Sequence, residues 1–409
     1  MVSGMSLHSV RWLVTTSALD GVGDSLSRNL LPIVAVSVLG AGTAAVGVIS
    51  SAGLVAFLVL GLPIGVVADR WSAPRTTMVL STVLRAGVAA TGVVAWAAGL
   101  LRDGAGVAVV VAMALAVGVA DVGYTTAQGM LVPRVVPAEA LRATYGRVQA
   151  AAQVGTTAGP ALLSAALAVL VVPLAWAVPA AVYLLSALGQ RKITPVLTPP
   201  DRSPVRESIW AAARAGTGVL LRSRVLRYVT AGTALTNASV MAANTLLPVI
   251  ALEQLRVSPT TYAALGAVSA LTGAGGALIA ARVTARAGLV ATRVGCAAAL
   301  SVGALAVALA TQLPGPAELW IALQLALAGG AASVAVVSGA DLVPRLAPDA
   351  LGTVLAAQRM VTLGVMPLTA VAVGVGGALL GTGAMTAVWV TLSVLSAVPL
   401  HGLRRSELP

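Results

Sequence analysis

The chain has 409 residues, of which 58% are hydrophobic and 9% are charged, so its apolar segments are too numerous for one soluble core. Its net charge of +12 does not indicate nucleic-acid binding, because the basic residues are spread over the connections between apolar segments. A single cysteine excludes an intrachain disulfide, and the lack of a P-loop lysine motif excludes ATP as a direct energy source. We therefore expect an integral membrane protein that is not an enzyme and uses no cofactor or metal.

Apolar runs long enough to cross a bilayer follow one another along the whole chain. A helix needs about 20 residues to span roughly 30 Å of hydrocarbon. The first run carries Asp20, Asp24 and Arg28 and is too long for the apolar region of a cleaved signal, so we expect it to remain. The runs predict an all-α membrane protein with twelve transmembrane helices at 10–37, 43–68, 76–101, 105–132, 140–170, 172–190, 226–252, 259–281, 288–311, 317–343, 350–380 and 383–403.

A polar, proline-containing stretch separates the sixth span from the seventh. It predicts two pseudo-symmetric six-helix bundles, residues 1–190 and 226–409, joined by a cytoplasmic linker of residues 191–225. The later part, Glu207 to Tyr228, mixes apolar and basic side chains as an interfacial amphipathic helix does. Nearly all basic residues of the connections fall on the side of the termini, and only Arg102 and Arg256 fall on the other. Both termini are therefore predicted to be cytoplasmic.

One sequence pattern occurs in both halves of the chain. L-V-P-R-x-x-P is found at residues 131–137 and again at 342–348, 211 residues later. Gly65 has Gly276 at the same offset, ahead of a second basic segment. A half-length repeat in so apolar a chain indicates a transporter built from two related bundles.

The connection after the second span reads Gly65-x3-Asp69-Arg70-x4-Arg75. It resembles a conserved loop motif of the major facilitator superfamily, although Ala73-Pro74 stands where the family often has Gly-Arg. A glycine lets two helices approach closely, and an aspartate can cap a helix or pair with nearby arginines. The resemblance implies a cytoplasmic gating latch, to which we assign Gly65, Asp69, Arg70, Arg75, Arg134, Asp341 and Arg345.

The fifth span contains Gly146-x8-Gly155-x3-Gly159-Pro160, which resembles the signature of proton-coupled exporters in the superfamily, with Leu163 in place of its last glycine. Small residues thin one helix face so that a helix from the other half can pack there, and the proline bends the helix. Shorter segments, including Asp20-x2-Gly23-Asp24, resemble the branch of enterobactin exporters and macrolide-efflux proteins.

Charged side chains within the spans are the candidates for coupling, because each costs about 2.5–3.5 kcal/mol on insertion scales unless it is paired or faces water. Asp20, Asp24 and Arg28 recur every four residues on one face of the first helix, where Arg28 can pair with Asp24. Asp20 is the first candidate proton carrier; the alternative is that it only satisfies helix packing. Asp121 is the second acid and Tyr124 a substrate contact, because the family's first and fourth helices line its central cavity.

Further polar residues lie at matching depths in both halves. Arg147 and Gln149 in the fifth span and Arg359 in the eleventh either contact substrate or pair with Asp121 and Asp341. Asn237 and Asn244 share one face of the seventh span, where they either orient substrate or join helices. The candidate substrate cavity thus comprises Arg28, Tyr124, Arg147, Gln149, Asn237, Asn244 and Arg359.

The resemblance implies a secondary transporter of the bacterial inner membrane that exports an amphipathic small molecule, such as a drug, antibiotic or siderophore-like product, in exchange for protons. Its partners would be this substrate, protons and the lipid bilayer, and it would act as a monomer. Two alternatives stay open: import of a nutrient by symport or facilitated diffusion, and a receptor or assembly partner with a transporter fold. The charge of the substrate also stays open, since acids favour cations and Arg147 with Arg359 favours anions.

Overall fold

The computed structural model describes residues 2–70, 73–194, 217–313, 315–339, 342–347 and 351–403. All regular structure in these ranges is helical, and its long helices are numbered α1 to α12 here. They are α1 (Val2–Ser37), α2 (Thr43–Arg70), α3 (Pro74–Ala97), α4 (Asp103–Leu131), α5 (Ala138–Val169), α6 (Ala177–Gln190), α7 (Arg224–Val249), α8 (Pro259–Ala287), α9 (Leu289–Ala310), α10 (Ala317–Ser338), α11 (Leu351–Leu380) and α12 (Thr382–Leu395). Short helical segments lie at Val132–Arg134, Val172–Trp176, Ile250–Gln254, Leu342–Leu346 and Val398–His401.

The predicted all-α, twelve-helix fold is confirmed. Ten helices of the described residues are long and apolar enough to cross a membrane, and the described apolar part of α2 is Thr43–Val55. The ten do not include α1, which carries Arg11, Asp20, Asp24 and Arg28. Several boundaries differ from the predictions: α1 begins at Val2, ahead of the apolar run, α8 continues to Ala287, and α10 and α12 end at Ser338 and Leu395, earlier than expected.

The chain forms two compact units. Unit 1 comprises Met1–Ala41, Val48–Ser203 and Ser258–Ala267, and unit 2 comprises Gly42–Gly47, Pro204–Val257 and Val268–Pro409. In unit 1, α1 packs against α5 and α6, and α3 packs against α4 and α6. In unit 2, α7 packs against α11 and α12, and α9 packs against α10 and α12.

Close packing of α1 against α5 depends on glycines of the exporter-like motif. A Cβ added at Gly155 would collide with the carbonyl oxygen of Ala18, and one at Gly159 would collide with Ser25. Both motif glycines thus pack on α1 of the same unit, whereas the sequence suggested a partner from the other half. Gly146 meets open space instead. Pro160 lies beside α8, where it is 3.1 Å from the position of a Cβ added at Gly266.

The chain that follows α6 is held against the ends of α1 and α3. Thr194 exchanges two hydrogen bonds with Ser9, and Arg75 donates to the Ile193 carbonyl at 3.3 Å. Lys192 lies over the Trp12 ring, 4.4 Å from its centroid. Residues 195–216, with much of the predicted amphipathic helix, lie outside the described residues. The described chain resumes at 217, and Ser223 caps α7 by accepting from the Leu226 amide.

Candidate functional site

A fully buried arginine of α3 lies at the centre of a charged cluster in unit 1. Arg85 is 0% exposed, and its guanidinium contacts three carboxylates on two other helices. Nη2 is 2.9 Å from Asp20 Oδ1, while Nη1 is 2.7 Å from Asp24 Oδ1 and 3.5 Å from Asp121 Oδ1. Asp20 and Asp24 are one turn apart on α1, so the predicted shared face points at Arg85. These pairings offset the cost of placing the charges inside a membrane span.

Two tyrosine rings enclose the same guanidinium. The Arg85 Cζ atom lies 4.4 Å from the ring centroid of Tyr124 on α4 and 4.8 Å from that of Tyr183 on α6. The face of an aromatic ring attracts a guanidinium, and the attraction is stronger where water is excluded. Tyr183 also donates its hydroxyl to Asp24 Oδ1 at 2.7 Å. Arg85 is therefore held by two aromatic rings as well as by its carboxylates.

Asp20 is the most deeply enclosed of the three acids, with a side chain 3% exposed. Its Oδ1 accepts from Arg85, and its Oδ2 accepts from Ser186 at 2.9 Å and from Gln190 at 3.0 Å, both on α6. The Thr82 hydroxyl on α3 accepts hydrogen bonds from both Arg85 and Gln190. Three donors satisfy both oxygens of Asp20, so this carboxylate connects α1, α3 and α6.

The other edge of the cluster is open. Arg28 Nη2 is 3.1 Å from Asp121 Oδ2, and the Arg28 side chain is 63% exposed. Asp121 is 14% exposed and Asp24 is 25% exposed. Arg28 thus hydrogen-bonds Asp121 on α4, whereas the sequence suggested Asp24 as its partner. The cluster thus has one buried cation, Arg85, that contacts all three acids, and one exposed cation, Arg28, that contacts Asp121.

Tyr124 belongs to a polar chain beside the cluster. Gln128, one turn along α4, donates to the Tyr124 hydroxyl at 2.9 Å and to Ser17 on α1 at 3.1 Å. Tyr124 itself is 7% exposed. Tyr124 therefore contacts Arg85 and, through Gln128, takes part in a hydrogen-bonded link between α4 and α1. Its role as a substrate contact stays a prediction.

None of the remaining cavity candidates makes a described ion pair or hydrogen bond with the cluster. Arg147 and Gln149 have exposed side chains on α5, and no described ion pair joins Arg147 to Asp121, which pairs with Arg28 and Arg85. In unit 2, Arg359 and Asn244 are exposed. Asn237 donates to the Thr362 carbonyl of α11 at 2.8 Å, which joins two helices of that unit.

The gating latch falls mostly outside the described residues. The side chains of Asp69, Arg70 and Arg345, the surroundings of Gly65, and Asp341 are not described. Arg75 binds the Ile193 carbonyl, and Arg134 is half-buried at the end of the short helix after α4. The latch stays a prediction.

Sequence reasoning missed the centre of this site. It identified the acids on α1 and α4 but did not assign Arg85, Tyr183, Ser186 or Gln190 to the site. Arg85 had a signal, because an arginine in an otherwise apolar span needs partners. The residues of α6 had none, since a tyrosine, a serine and a glutamine in an apolar helix do not reveal which neighbour they face.

Ten described helices long and apolar enough to cross a membrane, with a buried ion cluster among them, indicate a multi-pass membrane protein. The family model described as Major Facilitator Superfamily matches residues 13–370. The chain belongs to this superfamily, which confirms the family that its motifs resemble. The comparison with curated proteins gave no significant match.

Several solved transporters share the fold. The nucleoside transporter NupG is 14% identical, with a TM-score of 0.75 over 98% of this chain and 100% of that one. A bacterial homologue of the human drug peptide transporters PepT1 and PepT2 is 16% identical, with a TM-score of 0.66 and 97% of each chain covered. A bacterial homologue of the iron transporter ferroportin, in an inward-facing state, is 15% identical, with a TM-score of 0.66 over 97% and 98%. At these identities the likeness shows the fold alone.

Proposed function

We propose that the protein is a proton-coupled exporter of an amphipathic small molecule in a bacterial cell membrane, with both termini in the cytoplasm. The ion cluster of unit 1 is the observation that carries this proposal, because three carboxylates inside membrane spans share two guanidiniums. The exporter-like motif of α5 and the resemblance to enterobactin exporters and macrolide-efflux proteins support export over import. Alternating access by a monomer is the mechanism that the superfamily implies.

Within the cluster, the acids have different roles in this proposal. Asp20 is enclosed and accepts hydrogen bonds from three donors, so it positions Arg85 and α6. Asp24 and Asp121 are partly exposed, and Asp121 Oδ2 is contacted by the exposed Arg28. A partly exposed carboxylate can exchange protons with water directly, whereas an enclosed one needs a relay of hydrogen-bonded groups. We therefore assign proton exchange to Asp121 and Asp24, in place of Asp20.

The transport cycle follows from this assignment. Protons from outside load Asp121 or Asp24 when the protein faces outward. Their release to the cytoplasm restores the carboxylate, which then favours binding of a cytoplasmic substrate. Each step shifts the balance between two conformations by its differential affinity for them.

Two assays in sequence test the proposal. Tolerance of an efflux-deficient host to antibiotics and dyes first selects a transported compound. Flux of that compound in oriented vesicles is then measured with and without a pH gradient. Asp121→Asn and Asp24→Asn should reduce gradient-driven efflux at least tenfold, whereas Glu318→Gln, an exposed carboxylate in the first turn of α10, should not.

The outcome distinguishes the remaining alternatives. Full gradient-driven efflux in the double variant Asp24→Asn/Asp121→Asn would overturn the assignment of the proton site. Accumulation on the side to which the protons move would indicate symport and import. No flux of any compound in a properly folded sample would favour a receptor.

A further inference from the structure

We propose that Arg293 on α9 is the centre of a binding site for a phosphate group, at the end of unit 2 where α7 and α9 begin. The site uses no residue of the ion cluster and does not depend on the proposed transport reaction. Under the proposed topology this end is cytoplasmic, so the phosphate can belong to a phospholipid headgroup or to a dissolved anion. Both sources present the same oxygens to a guanidinium.

Arg293 is a buried cation to which the described residues supply no carboxylate. The residue is 8% exposed, and the ion pairs among the described residues do not include it. Nη1 donates to the Thr233 hydroxyl on α7 at 2.8 Å, and Nη2 donates to the Ala335 carbonyl on α10 at 2.9 Å. Both acceptors are neutral, whereas the buried Arg85 meets three carboxylates. A buried charge without an opposite charge is costly, so an anion at Arg293 would stabilise the protein.

Hydrogen-bond donors at this place are left over. A guanidinium has five N–H donors, and the two described hydrogen bonds of Arg293 use two of them. Its Nε is buried and has no partner among the described residues. One edge of a guanidinium, formed by Nε and a neighbouring Nη, can hold two oxygens of one phosphate. The buried hydroxyl of Thr230, one turn before Thr233 on the same side of α7, is also without a described partner.

The backbone around Arg293 favours an anion as well. A Cβ added at Gly339, just after α10, would collide with Arg293 Nη2, so the glycine leaves room for the guanidinium. The N-cap of α9 is Gly288, which has a φ of +80° and offers no side chain to the first amides of the helix. Those amides carry partial positive charge, which adds to the charge of Arg293 instead of compensating it.

A purely structural role of Arg293 has different consequences. Ala335 belongs to the last turn of α10, where carbonyl oxygens carry partial negative charge and attract a cation. If this contact were the whole role of Arg293, the side chain would stabilise the protein without a ligand, and phosphate would change nothing. In the proposed site the protein without a ligand has an uncompensated charge, and bound phosphate removes that cost. The effect of Arg293 on stability therefore depends on the ligand.

Thermal unfolding of the purified, delipidated full chain in a nonionic detergent tests this dependence. Without added lipid, Arg293→Met should unfold at the same temperature as the parent chain or above it. Dioleoylphosphatidylglycerol should raise the unfolding temperature of the parent by about 3 °C or more and leave that of Arg293→Met unchanged. Dioleoylglycerol, which has the same acyl chains and no phosphate, should shift neither. Arg286→Gln, which removes an exposed arginine in the last turn of α8, should keep the shift of the parent.

Inorganic phosphate, compared with sodium chloride at equal ionic strength, distinguishes the two sources. A shift with the phospholipid alone assigns the site to a headgroup, and a shift with inorganic phosphate assigns it to a dissolved anion. No shift of the parent with either probe would overturn the proposal. Equal shifts of the parent and Arg293→Met would also overturn it, because binding would then occur elsewhere.

Two further variants keep the test decisive. If Arg293→Met does not fold, Arg293→Lys retains the charge without the planar fork and should lose at least half of the shift; a full shift would count against the site. Asp341, which follows α10 in the sequence, lies outside the described residues. Asp341→Asn should leave the shift of the parent unchanged. A shift seen only in Asp341→Asn would mean that this carboxylate already compensates Arg293, and the phosphate site would be wrong.

Discussion

Arg85 and Asp20 form an ion pair 2.9 Å long in which the guanidinium is 0% and the carboxylate 3% exposed. Charges enclosed in this way are compensated by protein groups, since little water reaches them. Removing one member of a buried pair leaves the other unpaired, which costs about 3–5 kcal/mol.

Arg85→Gln should therefore lower stability strongly, by about 3–5 kcal/mol, because Asp20 and Asp24 both lose their cation. Thermal unfolding in detergent measures the change. The double variant Arg85→Gln/Asp20→Asn should recover part of the loss, and Arg102→Gln, at an exposed position, should have little effect. Equal unfolding temperatures for Arg85→Gln and Arg102→Gln would contradict the described role of Arg85.

Gly155→Ala and Gly146→Ala form a matched pair of changes in α5. The added methyl at Gly155 meets the Ala18 carbonyl, so it must push α1 and α5 apart, at a cost of about 1–3 kcal/mol. At Gly146 the methyl has no described neighbour within 4 Å, and the gain in helix propensity is about 1 kcal/mol. Unfolding temperatures should move in opposite directions, and a shared direction would argue against close α1–α5 packing.

Asn237→Ala should destabilise unit 2 by about 0.5–1.5 kcal/mol, because its amide donates to the Thr362 carbonyl. Asn244→Ala, at an exposed position further along the same face of α7, should leave stability unchanged. Measuring transport by both variants distinguishes the two roles that the sequence leaves open, which are orienting the substrate and joining helices. A transport defect in Asn244→Ala at unchanged stability would assign that residue to the substrate.

Cysteine labelling tests the predicted topology. A Cys296→Ala background removes the one native thiol, at the loss of a single buried sulfur atom. In that background, Arg256→Cys should react with a membrane-impermeant maleimide on intact cells. Lys192→Cys, at an exposed position just after α6, should react only after permeabilisation. The reverse pattern would place the termini outside.

The sequence predicted the fold well because each apolar run of about 20 residues corresponds to one helix. The predicted helix ends are less accurate where polar residues continue a helix, as at Val2–Ser9 of α1. The apolar run ends there, but the backbone hydrogen bonding of the helix continues. The four-residue spacing of Asp20 and Asp24 correctly placed both on one face, because the helical repeat alone determines it.

Partners across helices were harder to predict. Arg28 was matched with Asp24 because the two are close in sequence, yet it pairs with Asp121, 93 residues away. Asp24 is instead paired with Arg85 and Tyr183, on α3 and α6. Which helix faces which depends on the packing of small residues, such as Gly23 against the Tyr183 ring. The helical spacing of charged residues contains no information about this packing.

Unit 1 holds every described carboxylate that lies deep within a helix, whereas the described carboxylates after α6, Glu253 and Glu318, are at helix ends. Under the proposed function, every described acid that can exchange protons within the membrane therefore belongs to the first half of the chain. Replacing residues 226–409 by those of a distant relative should then yield a hybrid whose flux still depends on the pH gradient.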